Sequence, residues 1–227
     1  MQEKIYTIPV NEAFEQTDDC PFCVMYNKLE SNEIDLITGA SMMEPDIRIK
    51  TNELGFCREH FAKMFAKPQR LPLALTLQTH LDVLRKEVRT GALLGDPAAK
   101  AVKRLEKLEH DCYVCQRIER HFPRMIETAC ALFENEREFR EKFLSQKYFC
   151  LPHYKLLLEA AKRTCSKKAY PDLVKAADAV VRAYMDSLYD DVSLFCKKFD
   201  YNYRDAPWGN ARDSVERTIK FLTSDKG

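Results

Sequence analysis

Apolar residues recur at intervals of three and four along most of this chain, the mark of helices that bury one face. Leu73, Leu77, Leu81, Leu84 and Val88 form one such stripe. Val174, Ala177, Val181, Tyr184, Leu188, Val192 and Phe195 form a longer one, predicting a helix over about 171–199. A final helix is predicted from Ser214 through Val215, Ile219 and Leu222. Start signals locate others. Asp18-Asp19 before Cys20-Pro21 is an acidic cap followed by proline in the first turn, so a helix runs from about Cys20 into the high 30s. Its inward positions are Cys23, Met25, Tyr26, Leu29 and Ile34. Asp96-Pro97 opens another helix, which ends near Glu109. Ile118, Phe122, Ile126 and Leu132 mark a further helix, in which Pro123 predicts a kink or a break. Phe139, Phe143 and Leu144 are expected to face inward after it. Only residues 5–10, β-branched and containing Pro9, read as an extended arm. The pattern therefore predicts an all-α protein.

Laid over these helices is a duplicated motif. Cys20-Pro21-Phe22-Cys23 is followed, after 33 intervening residues, by Cys57-Arg58-Glu59-His60. Cys112-Tyr113-Val114-Cys115 is followed, after 34, by Cys150-Leu151-Pro152-His153. Six of the nine cysteines and two of the five histidines fall into this pattern, which chance and core packing explain poorly. Thiolate and imidazole are the preferred ligands of tetrahedral zinc, and a two-residue spacer lets both members of a pair reach one ion from a helix start. Each copy contains one Cys3His set. The expectation is two tandem, repeat-related halves: residues 1–95, clasped by Cys20, Cys23, Cys57 and His60, and residues 96–227, clasped by Cys112, Cys115, Cys150 and His153. The two halves could also pack as one compact domain. Residues 91–96, with Gly91 and Gly95, are the expected linker. The same spacings allow an exchanged pairing, Cys20 and Cys23 with Cys150 and His153, and Cys112 and Cys115 with Cys57 and His60. Within-copy pairing is the simpler arrangement, because the intervening chain suits a helical hairpin. An aromatic precedes the cysteine and another follows the histidine in Phe56-Cys57…His60-Phe61 and in Phe149-Cys150…His153-Tyr154, so rings are expected to wall each site from water.

The remaining signals narrow the function. Lys and Arg total 36 against 35 for Asp and Glu, a net charge of +1 that points to neither nucleic acid nor an anionic membrane. The basic stretch Lys100, Lys103, Arg104 and Lys107 is interleaved with acids and reads as a solvated helix face. Residues 1–10 lack the basic and apolar regions of a signal peptide, and no apolar run is long enough to span a bilayer, so a cytoplasmic location is expected. There the cysteines serve as metal ligands and free thiols, with Cys130, Cys165 and Cys196 expected in the core. His80 lies beside an apolar stripe and reads as a boundary residue, not a ligand. No nucleophile elbow, phosphate loop or His-Glu-x-x-His motif is present, so no catalytic residue is assigned. The tail 201–209, which holds the only tryptophan, Trp208, is expected to dock on the body.

The CPxC at Cys20, the GFCxxHF at Gly55, the second CxxC at Cys112, the FCxPHY at Phe149 and the tail KKFDYxYRDxPW from Lys197 together resemble an uncharacterised bacterial family defined as a domain of unknown function. The resemblance implies a compact cytoplasmic helical protein and carries no reaction. The residues themselves predict a non-enzymatic scaffold holding two zinc ions and binding another protein. The alternatives are an iron–sulfur redox or sensing protein using the same ligands, and a metal sensor.

Overall fold

The computed structural model describes residues 4–90, 96–203 and 207–225. Among them are eleven α-helices and no strand. They are α1 (Thr7–Glu15), α2 (Pro21–Ile37), α3 (Pro45–Leu54), α4 (Arg58–Ala66), α5 (Leu71–Glu87), α6 (Ala99–His110), α7 (Tyr113–Asn135), α8 (Arg137–Leu144), α9 (Leu151–Thr164), α10 (Ala169–Lys197) and α11 (Ser214–Thr223). None of the described helices is long and apolar enough to cross a membrane.

The chain divides into two compact units, one made of Met1–Asn27 with Phe122–Gly227, the other of Lys28–His121. The boundaries fall within α2 and α7, not at the expected linker, whose residues 91–95 lie outside the described residues. One unit is thus discontinuous, its two stretches flanking the other in sequence, where tandem halves of 1–95 and 96–227 were expected.

The discontinuous unit is held by a ring cluster. Phe14 from α1 meets Phe22 of α2 at 5.6 Å, Phe139 and Phe143 of α8 at 4.8 and 5.8 Å, and Phe149 at 6.3 Å between centroids. All five rings are at most 1% exposed. This cluster explains why residues 5–10 are not an extended arm. Thr7–Glu15 is helical, with Val10, Ala13 and Phe14 buried at helical spacing, and Pro9 stands in the first turn, where its missing N–H is not needed. Burial of that face overrides the weak β preference of Ile8 and Val10. Leu144, by contrast, is 56% exposed, because the neighbouring Phe143 faces the core and consecutive helical residues point about 100° apart. Helix α7 continues through Pro123. Helix α10 buries Leu173, Ala177, Val181, Tyr184 and Leu188, and packs on α9 and α11 with Tyr148 stacked on Tyr184 at 4.4 Å. In the tail expected to dock, Trp208 is half-buried and lies 5.9 Å from Phe195 of α10, whereas Tyr201 is 85% and Tyr203 42% exposed; residues 204–206 lie outside the described residues. Cys130 is in the core as expected, Cys165 is half-buried, and Cys196, near the end of α10, is exposed.

In the other unit, α3 packs on α5 and α5 on α6. Helix α3 ends at Gly55, with φ 65° and ψ −157°, a conformation essentially confined to glycine. An added Cβ would stand 3.2 Å from the His80 ring and 3.3 Å from Leu108. His80 is 8% exposed with Nδ1 3.0 Å from the Asn52 carbonyl oxygen, a buried boundary residue outside both ligand groups. Gly55→Ala is expected to destabilise this unit by about 1–3 kcal/mol through backbone strain alone. Denaturant unfolding checks it, and an unchanged midpoint would show that the turn relaxes freely.

Candidate metal centres

Each ligand pair occupies the first turn of a helix. The carbonyls of Cys20, Cys57, Cys112 and Cys150 accept the first helical bonds, from the N–H groups of Val24, Phe61, Gln116 and Tyr154, at 3.1, 3.0, 3.0 and 2.8 Å. The first cysteine of every pair therefore stands at the N-cap and its partner at the third helical position. Side chains at these two positions converge over the helix end, as they do in a capping box. The C-x2-C and C-x2-H spacings follow from that geometry. Unsatisfied N–H groups and the positive ends of the helix dipoles also favour thiolate there.

The four pairs assemble into two groups, but not within copies. Cys20, Cys23, Cys150 and His153 form one group, and Cys57, His60, Cys112 and Cys115 the other. In each, the ligand atoms all lie within 4.8 Å of one another. The within-copy sets, Cys20, Cys23, Cys57 and His60 against Cys112, Cys115, Cys150 and His153, are not the ones brought together. The outer pairs meet each other and the inner pairs meet each other, so the pairing is nested and each group lies within one unit. Aromatic packing accompanies the exchange. Phe149, just before Cys150, meets Phe22 between Cys20 and Cys23 at 5.5 Å, and Phe56, just before Cys57, meets Tyr113 between Cys112 and Cys115 at 6.3 Å. The backbone agrees: Tyr113 N–H donates to the Gly55 carbonyl at 3.0 Å, and Cys150 N–H points at the Cys20 sulfur at 3.5 Å.

The donor sets fit a single tetrahedral ion. With Zn–S about 2.3 Å and Zn–N about 2.0 Å, tetrahedral angles place sulfurs about 3.8 Å apart and sulfur and nitrogen about 3.5 Å apart. The Cys23 and Cys150 sulfurs are 3.7 Å apart. Nδ1 of His153 lies 4.0, 3.4 and 3.1 Å from Cys20, Cys23 and Cys150. Nδ1 of His60 lies 3.0, 3.3 and 3.5 Å from Cys57, Cys112 and Cys115. Three thiols crowded together out of water do not ionise together without a cation. Burial pushes the Cys20 thiol up, and burial and then the charge of Cys112 push Cys115 up, whereas a hydrogen bond from Cys150 pulls Cys23 down.

The surroundings of the two groups differ. All of Cys20, Cys23, Cys150 and His153 are buried, while Cys57 and Cys115 are half-buried. His60 Nε2 lies 3.0 Å from the Glu30 carboxylate, which also receives Lys63. Glu33, one turn along α2, pairs with Arg117 of α7 at 3.0 Å. Both glutamates are buried, at 6% and 5% exposure. Sequence reasoning missed them, although Glu30 and Glu33 continue the inward stripe of Cys23, Tyr26 and Ile37, where an acid requires a partner. His153 Nε2 is instead buried without a hydrogen-bond partner, among the rings of Phe122, Phe22 and Tyr26 at 5.2, 6.2 and 6.5 Å. A further unforeseen contact is the Asp225 N–H, which lies 3.4 Å from the Cys23 sulfur and brings the end of the described chain onto that group. Partners of ligating histidines typically change metal affinity by about 10–100-fold. Glu30→Gln is accordingly expected to weaken metal at the His60 group by about that factor and leave the His153 group unchanged. Competition with a chromophoric chelator would resolve one shifted and one unshifted release step; equal shifts in both would remove Glu30 from this role.

A family model described as a family of unknown function, DUF6062, matches residues 1–227. No curated protein and no solved structure matches the chain.

Proposed function

The chain belongs to this family of unknown function, and we propose that it is a non-enzymatic helical scaffold in which each Cys3His group holds one zinc ion as a structural clasp. The observation that carries this reading is the convergence of four protein ligands, all within 4.8 Å, in each of two groups. Four protein ligands complete a tetrahedral shell and leave no position for water or substrate, the mark of a structural centre. An iron–sulfur cluster, whose ligands must surround several iron atoms, requires wider spacing than this, and its ligands are mostly cysteine alone. The clasps join helix starts distant in sequence, so metal binding and folding of each unit are coupled. A scaffold of this kind acts in the cytoplasm through its surface, by binding another protein. Metal analysis and the visible spectrum of protein purified anaerobically without an affinity tag test the reading. Two zinc ions per chain and a colourless solution are the expected result. Iron with sulfide and a brown colour would replace it with a redox function, and release of zinc by weak chelators with retention of the fold would replace it with sensing.

A further inference from the structure

The Cys20, Cys23, Cys150 and His153 group is buried at all four ligands. A divalent ion held by three thiolates and a neutral imidazole carries a net negative charge, and a buried charge is costly unless hydrogen bonds spread it. Two backbone N–H groups meet these sulfurs. Cys150 N–H donates to Cys20 Sγ at 3.5 Å, and Asp225 N–H donates to Cys23 Sγ at 3.4 Å. The first donor belongs to the helix start that supplies two of the ligands. The second comes from the chain beyond α11, 202 residues from its acceptor in sequence.

The backbone turns sharply to place that second donor. Ser224, the C-cap of α11, has φ 69° and ψ 157°, a conformation essentially confined to glycine, and it is the one non-glycine residue with positive φ among the described residues. Such a conformation persists only where its surroundings hold it. Here the Asn27 side-chain amide donates to the Asp225 carbonyl at 2.9 Å, and the Asp225 carboxylate pairs with Lys220 at 2.6 Å. The pair with Lys220 is partly exposed, and ion pairs of that kind add little stability. The seat is therefore specific but held by few contacts. A segment of this kind opens locally before the unit beneath it unfolds.

We propose that Ser224 and Asp225 form a latch on this metal group, an inference that rests on the reading that the group holds zinc. The Asp225 N–H stabilises the Cys23 thiolate, and lifting of the latch sets how fast the ion is lost or taken up. Asp225 is a positioning residue whose role belongs to its backbone N–H and not to its carboxylate. With the latch closed, Cys23 is only 2% exposed, so a competing chelator reaches it after the segment lifts. The other group lies in the Lys28–His121 unit, where Glu30 supports His60, and is independent of the latch.

The test compares the full zinc-loaded chain with Asp225→Pro, which removes the N–H, and Asp225→Ala, which keeps it. Each is challenged with a chromophoric chelator and quenched with N-ethylmaleimide, and the alkylated cysteines are mapped by mass spectrometry. Asp225→Pro is expected to speed alkylation of Cys20, Cys23 and Cys150 by about tenfold, the lower end of the effect of groups that support metal ligands, and to leave Cys112 and Cys115 unchanged. Asp225→Ala should match the parent chain at both groups. Loaded with cobalt(II) in place of zinc, the Asp225→Pro chain should show a shifted sulfur-to-metal charge-transfer band, which a merely structural segment would not move. Ser224→Gly, which relieves the backbone at that position, should release metal no faster than the parent. Unchanged release from a metal-loaded Asp225→Pro chain, or equal acceleration by Asp225→Ala, would overturn the latch alone. A parent chain that binds no zinc would overturn the structural-zinc reading, and the latch with it.

Discussion

Replacing Cys57 with serine is expected to remove one metal ion per chain and to open Cys112 and Cys115 to alkylation, while Cys20 and Cys23 stay protected. The expectation follows from the exchanged pairing: the ligand atoms of Cys57 and His60 lie with those of Cys112 and Cys115 within 4.8 Å. Loss of one thiolate leaves two thiols and an imidazole, which cannot complete a closed tetrahedral shell. Apparent metal-binding energies at structural zinc sites are about 10–16 kcal/mol, and the net stability of a domain is about 5–15 kcal/mol. Removing one ligand therefore threatens the folding of the whole Lys28–His121 unit. The effect should be confined to that unit, because the Cys20, Cys23, Cys150 and His153 group lies in the other. Metal content, with mass spectrometric mapping of alkylated thiols, measures both parts. If Cys20 and Cys23 become reactive instead, ligands pair within copies.

The second large effect is expected at Phe149. It is fully buried, with ring centroids 4.8 Å from Phe143, 5.5 Å from Phe22 and 6.3 Å from Phe14, and it directly precedes Cys150. Truncating a buried phenylalanine to alanine typically destabilises by about 3–5 kcal/mol, from lost burial and the cavity left behind. Phe149→Ala should reach that range and also weaken metal retention at Cys150 and His153, since the cluster sets the approach of the two ligand pairs. Phe65, at 62% exposure, is the control: Phe65→Ala should change stability by no more than about 0.5 kcal/mol. Equal effects of the two substitutions in denaturant unfolding would show that the ring cluster does not hold the unit.

The helices were legible because each carries its own local information. The stripe of α10 and the proline start of α2 needed no knowledge of the rest of the chain. Residues 5–10 misled because propensity was weighed there without the tertiary partner: Phe14 binds a cluster contributed mainly by residues far along the chain, and that burial makes α1 helical. The eight residues of the two groups were legible for a similar local reason, since an N-cap and third-position spacing is a property of one helical turn. Their partners were not. The two copies have nearly equal spacing, so C-x2-C of either can meet C-x2-H of either. The exchanged pairing shows in the contacts of Phe149 with Phe22 and of Phe56 with Tyr113, which spacing does not encode. The unit boundaries were hidden by the same ambiguity, because nested pairing splits one unit into two stretches of sequence. Glu30 and Glu33 were written on an otherwise inward face, yet their partners His60 and Arg117 could be named only once the helices were placed.

On the proposed reading, two single metal ions are held by ligands exchanged between the copies. Anomalous diffraction from crystals of the native protein, collected on both sides of the zinc absorption edge, would locate them. Two zinc peaks per chain are expected, one among Cys20, Cys23, Cys150 and His153 and one among Cys57, His60, Cys112 and Cys115. A peak joining Cys20 and Cys23 to Cys57 and His60, or a folded chain with no zinc peak at either group, would contradict it.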